Sequence, residues 1–480
     1  MEVKKNTVKT SLFWAFLDQF SSKGIGIVVS IILARILAPD DFGMMGLIYF
    51  FTAISQELVD GGLSASLIRH KETNEKDYST IFVTNVFVSL ILYAILFLIA
   101  PYFASYYKIP ELEKLLQVYG VIFIINALSN VQIALLTKEL LFRKILLINL
   151  PGIIIGALLG VMLGYLGYGV WSIVYMQLVT QAITTVILWI NNSKVRIYFS
   201  YAILQKHFSF GSKLMLSSII NAGFRNVSNL VVGKSYNVTD LGYFERARTL
   251  SMYPNYVFVG VLTKVFYPVF SKITDEDELT KAYRNVLNLS FYISIAGMVL
   301  LAVIAYPLFG VVLGEQWLMA VPLFQIFCLK AAIHPLIVFN LNILKVKGHS
   351  NQLFKIEIVN RIIGLIALFI GVYLELYWLV VLLTIADVIA YINNIIVTKK
   401  YHKFNVLDQI KDFSPTVFIT ILTWLICYCC QKTIGFNEVS WENLVTTTLI
   451  FASTFLGLSF ILKNKNFIYL KKAITNKIND

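Results

Sequence analysis

The 480 residues are 58% hydrophobic and 14% charged, with a mean hydropathy of +0.74. Soluble domains carry about 25% charged residues, so this composition excludes a soluble globular chain. Apolar stretches of about 20 residues recur from end to end, too long and continuous for barrel strands, and backbone in lipid must bond within its own segment. The expected fold class is an all-α polytopic membrane protein.

Fourteen spans are expected, over residues 12–37, 42–67, 79–104, 115–137, 145–166, 169–190, 210–233, 241–270, 287–313, 319–344, 353–373, 377–398, 413–434 and 443–462. Connections are short, and no soluble domain is inserted. With the N-terminus inside, the inner connections and ends hold 26 of the 40 Lys and Arg residues and the outer connections hold five: Arg35, Lys108, Lys114, Lys234 and Lys432. The bias holds at every loop pair, which places both termini on the cytoplasmic side. Tyr and Trp gather near span ends, as at Tyr106, Trp171, Trp317 and Trp378, where interfacial belts form. The net charge of +13 is therefore loop charge set by topology, and no nucleic-acid partner is expected. The Lys4, Lys5, Lys9 start mimics a signal peptide but reads as a retained first span, since no small-residue cleavage site follows. Cys328, Cys427, Cys429 and Cys430 sit inside apolar runs without the spacing of a zinc site or a disulfide framework.

The stretch Ser11–Gly43 returns about 199 residues later as Phe210–Gly242. In that register Gly24 meets Gly223, Arg35 meets Lys234, Asp41 meets Asp240 and Gly43 meets Gly242. The chain thus divides into an N-terminal six-helix lobe over 1–193, a cytoplasmic linker over 194–209, a C-terminal six-helix lobe over 210–400, and two further spans with a basic tail over 401–480.

Nine cations remain within the spans: Lys23, Lys213, Arg225, Arg246, Arg248, Lys264, Lys330, Lys355 and Arg361. Those near span ends can snorkel. Lys23, Arg225, Lys330 and Arg361 are deeper, where a charge costs about 2.5–3.5 kcal/mol even on the mildest scale. They need an aqueous cavity or a partner, and a cavity with several cations suits an anionic substrate. Glu357 and Arg361 are spaced i, i+4 and either pair or act separately. Asp18, five residues from Lys23, is that lysine's partner or a proton site. Asp387 stands mid-span, and with Asp18 and Glu357 it forms the candidate set for coupling to H+ or Na+. Asp40-Asp41 reads as a turn and helix N-cap. Two related lobes rocking about a midplane site, with no catalytic domain, fit a transporter rather than an enzyme.

The runs Leu17–Gly24, Leu33–Gly43, Leu241–Ala247, Phe266–Lys272 and Leu313–Trp317 resemble the polysaccharide exporters of the MOP flippase superfamily, and more narrowly the Wzx-type lipopolysaccharide and colanic-acid branch. The resemblance spans roughly the first 400 residues in order. It implies two pseudo-symmetric six-helix lobes in a V around a central cavity, plus two C-terminal helices. It also implies export of an undecaprenyl-pyrophosphate-linked oligosaccharide to the outer leaflet of a bacterial cytoplasmic membrane, by a monomer without a cofactor, beside a polysaccharide polymerase and glycosyltransferases. Lys23, Arg225, Lys330 and Arg361 would then meet the pyrophosphate or acidic sugars. Arg35, Asp41, Lys234 and Arg246 would serve an outer gate or lobe contact.

Two other readings stay open. A multidrug extruder of the same superfamily would prefer an acidic cavity, which the excess of deep cations opposes. A membrane glycosyltransferase or polymerase would need a long outer loop, and the Asp40-Asp41 turn is only about four residues.

Overall fold

The computed structural model describes residues 5–70, 72–191, 195–270, 273, 275–401, 404–434 and 439–478. Lys4, Lys71, Lys194, Lys272 and Lys403 of the inner basic set lie outside these, as do the side chains of Lys5, Lys9, Lys264 and Lys477 and part of the Phe266–Lys272 run. Every regular element among the described residues is helical: α1 Lys5–Ile36, α2 Pro39–Asp60, α3 Leu63–Arg69, α4 Glu75–Tyr107, α5 Glu111–Tyr119, α6 Val121–Lys138, α7 Phe142–Tyr165, α8 Val170–Asn191 and α9 Tyr201–Ser235, followed by α10 Val238–Phe270, α11 Glu276–Val303, α12 Ala305–Leu308, α13 Val321–Val346, α14 Ser350–Gly371, α15 Leu376–Thr398, α16 Val406–Ile434, α17 Trp441–Ile461 and α18 Lys465–Ile478.

Ten helical segments are long and apolar enough to cross a membrane. Four more helices of 22 to 35 residues, α1, α9, α10 and α14, are not among these ten. These four hold Lys23, Arg225, Arg246 and Arg361. The chain is thus a multi-pass helical membrane protein, with three of the four deep cations, Lys23, Arg225 and Arg361, on helices outside these ten.

Helix ends are closed locally, as low-dielectric surroundings demand. Pro39 starts α2, and the Asp41 carboxylate accepts the Ala38 N–H at 3.0 Å. The cap position is therefore Ala38, and Asp41 bonds back to it from the third helical residue, in place of the Asp40-Asp41 N-cap expected. The second expected span breaks into α2 and α3 at Gly61 and Gly62, which adopt φ of 57° and 66°, a region glycine enters freely.

The described chain forms two compact units, Met1–Gly242 and Tyr243–Asp480. In the first, α1 packs on α7, α7 on α8, α8 on α6 and α6 on α4. The run Gly152, Gly156, Gly160 brings α7 so close to α8 that an added Cβ would lie 2.6 to 2.8 Å from the Thr180 carbonyl, the Met176 carbonyl or the Met176 side chain. Without water to expel, membrane helices associate through such close backbone approach. In the second unit α11 packs on α13 and α16, α13 on α15, and α15 on α14. The neighbour order α4–α6–α8–α7 recurs as α11–α13–α15–α14, the packing counterpart of the sequence repeat.

The division between units does not follow the repeat. Helix α9, which opens the second repeat, lies in the first unit and packs along α2, α3 and α4. Its N-terminal part is clamped there. Gly211 meets Gly62 backbone to backbone, with room for no Cβ on either. The His207 ring, fully buried, joins Ser66 Oγ at 2.8 Å and Asp77 Oδ1 at 3.1 Å. Lys206 stands 3.8 Å from the same carboxylate. By packing, then, the first unit extends to Gly242 rather than ending at the 194–209 connection, because α9 satisfies its buried polar groups on α3 and α4.

Candidate functional site

The starts of α2 and α10, equivalent in the repeat, meet reciprocally. A Cβ on Gly43 would fall 1.9 Å from the Val238 carbonyl oxygen, and one on Gly242 would fall 2.0 Å from that of Pro39. Pro39 and Val238 are themselves register equivalents, so this is a local two-fold contact that only glycine permits. Asp41 sits beside it and also faces Gly169, where a Cβ would lie 3.1 Å from Asp41 Oδ1. The register seen in the sequence thus has a steric cause at Gly43 and Gly242.

The deep charges fall into distinct environments. In the first unit Lys23 is exposed on α1, and no ion pair joins it to Asp18 among the described residues. Asp18 instead accepts from Asn149 Nδ2 at 3.3 Å, so the proposed Asp18–Lys23 partnership is replaced by a carboxylate–amide contact between α1 and α7. The five-residue spacing explains this, because it turns the two side chains away from each other on a helix. Arg225 is exposed on α9 and Arg35 on α1. Lys234 donates to the Tyr106 carbonyl at 2.6 Å and lies 3.7 Å over its ring, closing the end of α4 within the first unit.

In the second unit Lys330 and Asp387 come together, with Nζ 3.3 Å from Oδ2. They link α13 to α15. His334, one turn from Lys330, stacks edge-on against Tyr256 at 5.8 Å. Glu357 and Arg361 are both half-buried on α14, yet no ion pair joins them among the described residues. Arg246 is buried with its guanidinium 5.5 Å over the Trp317 ring. Tyr243 meets the same indole edge-on at 6.1 Å. Two of the resembling runs, Leu241–Ala247 and Leu313–Trp317, therefore pack on one another.

One cavity escaped the sequence reading because it holds no charge. A space of about 410 Å³ opens inside the first unit among α1, α2, α6, α7 and α8, lined by Ser30, Tyr49, Asn126, Gln177, Thr180 and Gln181 among apolar side chains. Its polar groups are already paired. Tyr119 donates to Gln177, Gln177 Nε2 donates to Tyr49 Oη at 2.8 Å, Asn126 Nδ2 to Gln56 Oε1 at 2.6 Å, and Gln181 Nε2 to Ser129 Oγ at 3.2 Å. Gln177 and Gln181 at i, i+4 on an otherwise apolar span were the available signal.

No group of three metal-ligating side chains gathers among the described residues. The four cysteines are free thiols. Ser66, His207 and Asp77 have the connectivity of a nucleophile relay, but Ser66 and His207 are wholly buried, so no substrate carbonyl reaches them.

A family model described as "Polysaccharide biosynthesis protein" matches residues 32–322. The chain is 24% identical over 375 residues to the lipopolysaccharide biosynthesis protein WzxC of Escherichia coli K12, covering 77% of this chain and 76% of that one. It is 25% identical over 335 residues to the succinoglycan biosynthesis transport protein ExoT of Rhizobium meliloti 1021, covering 69% and 67%. Among solved structures, the lipid II flippase MurJ in an inward closed conformation superposes with a TM-score of 0.73 at 15% identity, covering 93% of this chain and 98% of that one. That likeness establishes a shared fold.

Proposed function

Because this chain belongs to the polysaccharide biosynthesis protein family, we propose that it is a flippase that carries an undecaprenyl-pyrophosphate-linked oligosaccharide from the inner to the outer leaflet of a bacterial cytoplasmic membrane, for surface polysaccharide assembly. What carries the reading is the family match over 32–322 on a multi-pass helical chain with polar groups held inside its spans. The names of its relatives, one a biosynthesis transport protein, point the same way. In this reading α1, α9, α10 and α14 cross the membrane with the other ten segments, giving fourteen spans with both termini in the cytoplasm.

Lys23 and Arg225 in the first unit and Lys330 and Arg361 in the second are the cations we assign to the substrate's anionic groups. Asp387, through its contact with Lys330, is the first choice for a coupling carboxylate, ahead of Asp18 and Glu357. The reaction is transport by a monomer without covalent chemistry, and a polymerase and glycosyltransferases act before and after it. The excess of deep cations over what an organic-cation extruder needs supports this substrate class.

The test is a chromosomal replacement. Cells carrying the Lys23→Ala, Arg225→Ala double variant, with the protein still in the membrane, should lose surface polysaccharide and accumulate the lipid-linked saccharide inside. Normal surface polysaccharide in the double variant overturns the cation assignment. Normal polysaccharide after deletion of the whole gene overturns the export reading.

A further inference from the structure

Away from the deep charges, the second unit holds a second concentration of cations. A cavity of about 660 Å³ is walled by α11, α16 and the turn between α17 and α18. Lys281 and Arg284 face it from α11, Lys411 and Asp412 from α16, and Lys463 and Lys465 from the turn and the start of α18. Tyr469 completes the ionisable groups of the wall.

The single carboxylate is already occupied. Asp412 accepts from Nε and Nη2 of Arg284, and Asn288 Nδ2 adds a third bond at 2.9 Å. Lys281, Lys411, Lys463 and Lys465 form no ion pair among the described residues. Four like charges around one cavity repel each other, and an anion that enters relieves that repulsion.

The turn that brings in two of these lysines is built to hold them. Lys463 adopts φ of 48°, where a residue with a β-carbon is strained by about 1–2 kcal/mol and where glycine or asparagine is usual. Asn464 beside it is buried. Its side chain accepts the N–H of Asn466 at 2.9 Å and of Phe467 at 3.4 Å, and donates to Thr416 Oγ1 at 3.3 Å. The turn is thereby pinned to α16, with Lys463 and Lys465 on either side of the anchor. Just before it, Phe460, Ile461 and Leu462 are 61%, 70% and 48% exposed. Just after it, Phe467 and Leu470 of α18 pack into the core while Lys471 and Lys472 stay outside.

From a preorganised cationic cavity bordered by an exposed apolar row, we infer a binding site for an anionic phospholipid, its phosphodiester held by Lys281, Lys411, Lys463 and Lys465 and its acyl chains lying along Phe460, Ile461 and Leu462. Free phosphate would match the lysines but not the apolar row. The site is independent of which substrate the flippase carries.

The experiment is native mass spectrometry of the purified full-length protein titrated with phosphatidylglycerol or cardiolipin, with phosphatidylcholine as the neutral control and inorganic phosphate as competitor. One anionic lipid should be retained preferentially, and each lysine near a membrane surface adds about 1 kcal/mol. The K411Q/K463Q/K465Q variant should therefore bind it at least about tenfold more weakly. The control K345Q/K399Q/K400Q variant, with the same charge change elsewhere, should bind as the parent does. Lys463→Gly separates binding from folding: it relieves the strained φ, so the melting temperature should hold or rise while lipid retention falls several-fold. Equal loss in both triple variants, unchanged binding in K411Q/K463Q/K465Q, a lower melting temperature with unchanged lipid retention in Lys463→Gly, or displacement of the lipid by millimolar phosphate each overturns the site.

Discussion

The two units solve the problem of polarity inside a membrane differently. In the first unit the middle of the helices is served by neutral groups, the carboxamides Asn126, Gln177 and Gln181 paired with Tyr49, Tyr119, Gln56 and Ser129. Its buried carboxylate, Asp77, stands at a helix start, tied to His207. The second unit also pairs amides, as in Asn360 with Asn394 at 2.8 Å, but it places a lysine–aspartate pair between α13 and α15. An amide pair is satisfied by direct hydrogen bonds and changes little with conditions. An ion pair is costly to break and can be rearranged by a proton, an ion or an anionic substrate. The second unit therefore holds a helix-to-helix contact that a change of charge would rearrange, while the amide pairs of the first would not respond to it.

Several substitutions break or sharpen that contrast. The largest effect is expected for Asp387→Ala, which leaves Lys330 without its carboxylate. Removing one member of a fully buried pair costs about 3–5 kcal/mol. The side chains here are 22% and 33% exposed, so a loss of about 1–3 kcal/mol is expected after screening. Thermal unfolding in detergent measures it, and polysaccharide export should be lost as well. The double variant Lys330→Met, Asp387→Leu should recover the melting temperature but not export; recovery of both would make the pair structural only.

Next comes His207→Ala in the first unit, which strips Ser66 and Asp77 of a shared partner and costs about 1–3 kcal/mol. Its signature is local: hydrogen exchange should quicken in α3 and at the starts of α4 and α9 while the second unit is unchanged. Gln177→Leu should cost less, about 1 kcal/mol, because one amide contact is lost from a network that keeps others. Were it to abolish export with no change in melting temperature, the amide interior would be a working site and not a frame. The smallest effect is expected for Glu357→Gln. Without an ion pair to Arg361, stability should move by no more than about 0.5 kcal/mol, so a clear loss of export in this variant would move the coupling role from Asp387 to Glu357.

The helical membrane class and the order of the spans were legible because a span is a composition signal, about 20 apolar residues long. The repeat was legible because glycine recurs where two backbones nearly touch, at Gly43 and Gly242. Partnerships were less so. Lys330 and Asp387 stand 57 positions apart, and nothing local told that they meet. Glu357 and Arg361 have ideal spacing for a pair and do not form one, since helical spacing allows a contact without supplying a reason for it. The breadth of the first unit was hidden for a related reason. Sequence similarity assigns α9 to the second repeat, while packing assigns it to the first unit through Gly62–Gly211 and the buried His207. The amide cavity carries little sequence signal, because uncharged carboxamides on an apolar helix pass as ordinary polar residues.

Purified protein in liposomes gives the direct measure of saccharide-lipid transfer. An undecaprenyl-diphosphate-linked saccharide with a fluorescent sugar is loaded into both leaflets, and a membrane-impermeant quencher reports the fraction that reaches the outer one. Nearly all the fluorescence should become accessible with the parent protein, and only the outer-leaflet share with the Lys23→Ala, Arg225→Ala variant reconstituted to the same density. Equal accessibility in protein-free, variant and parent liposomes would contradict the export reading.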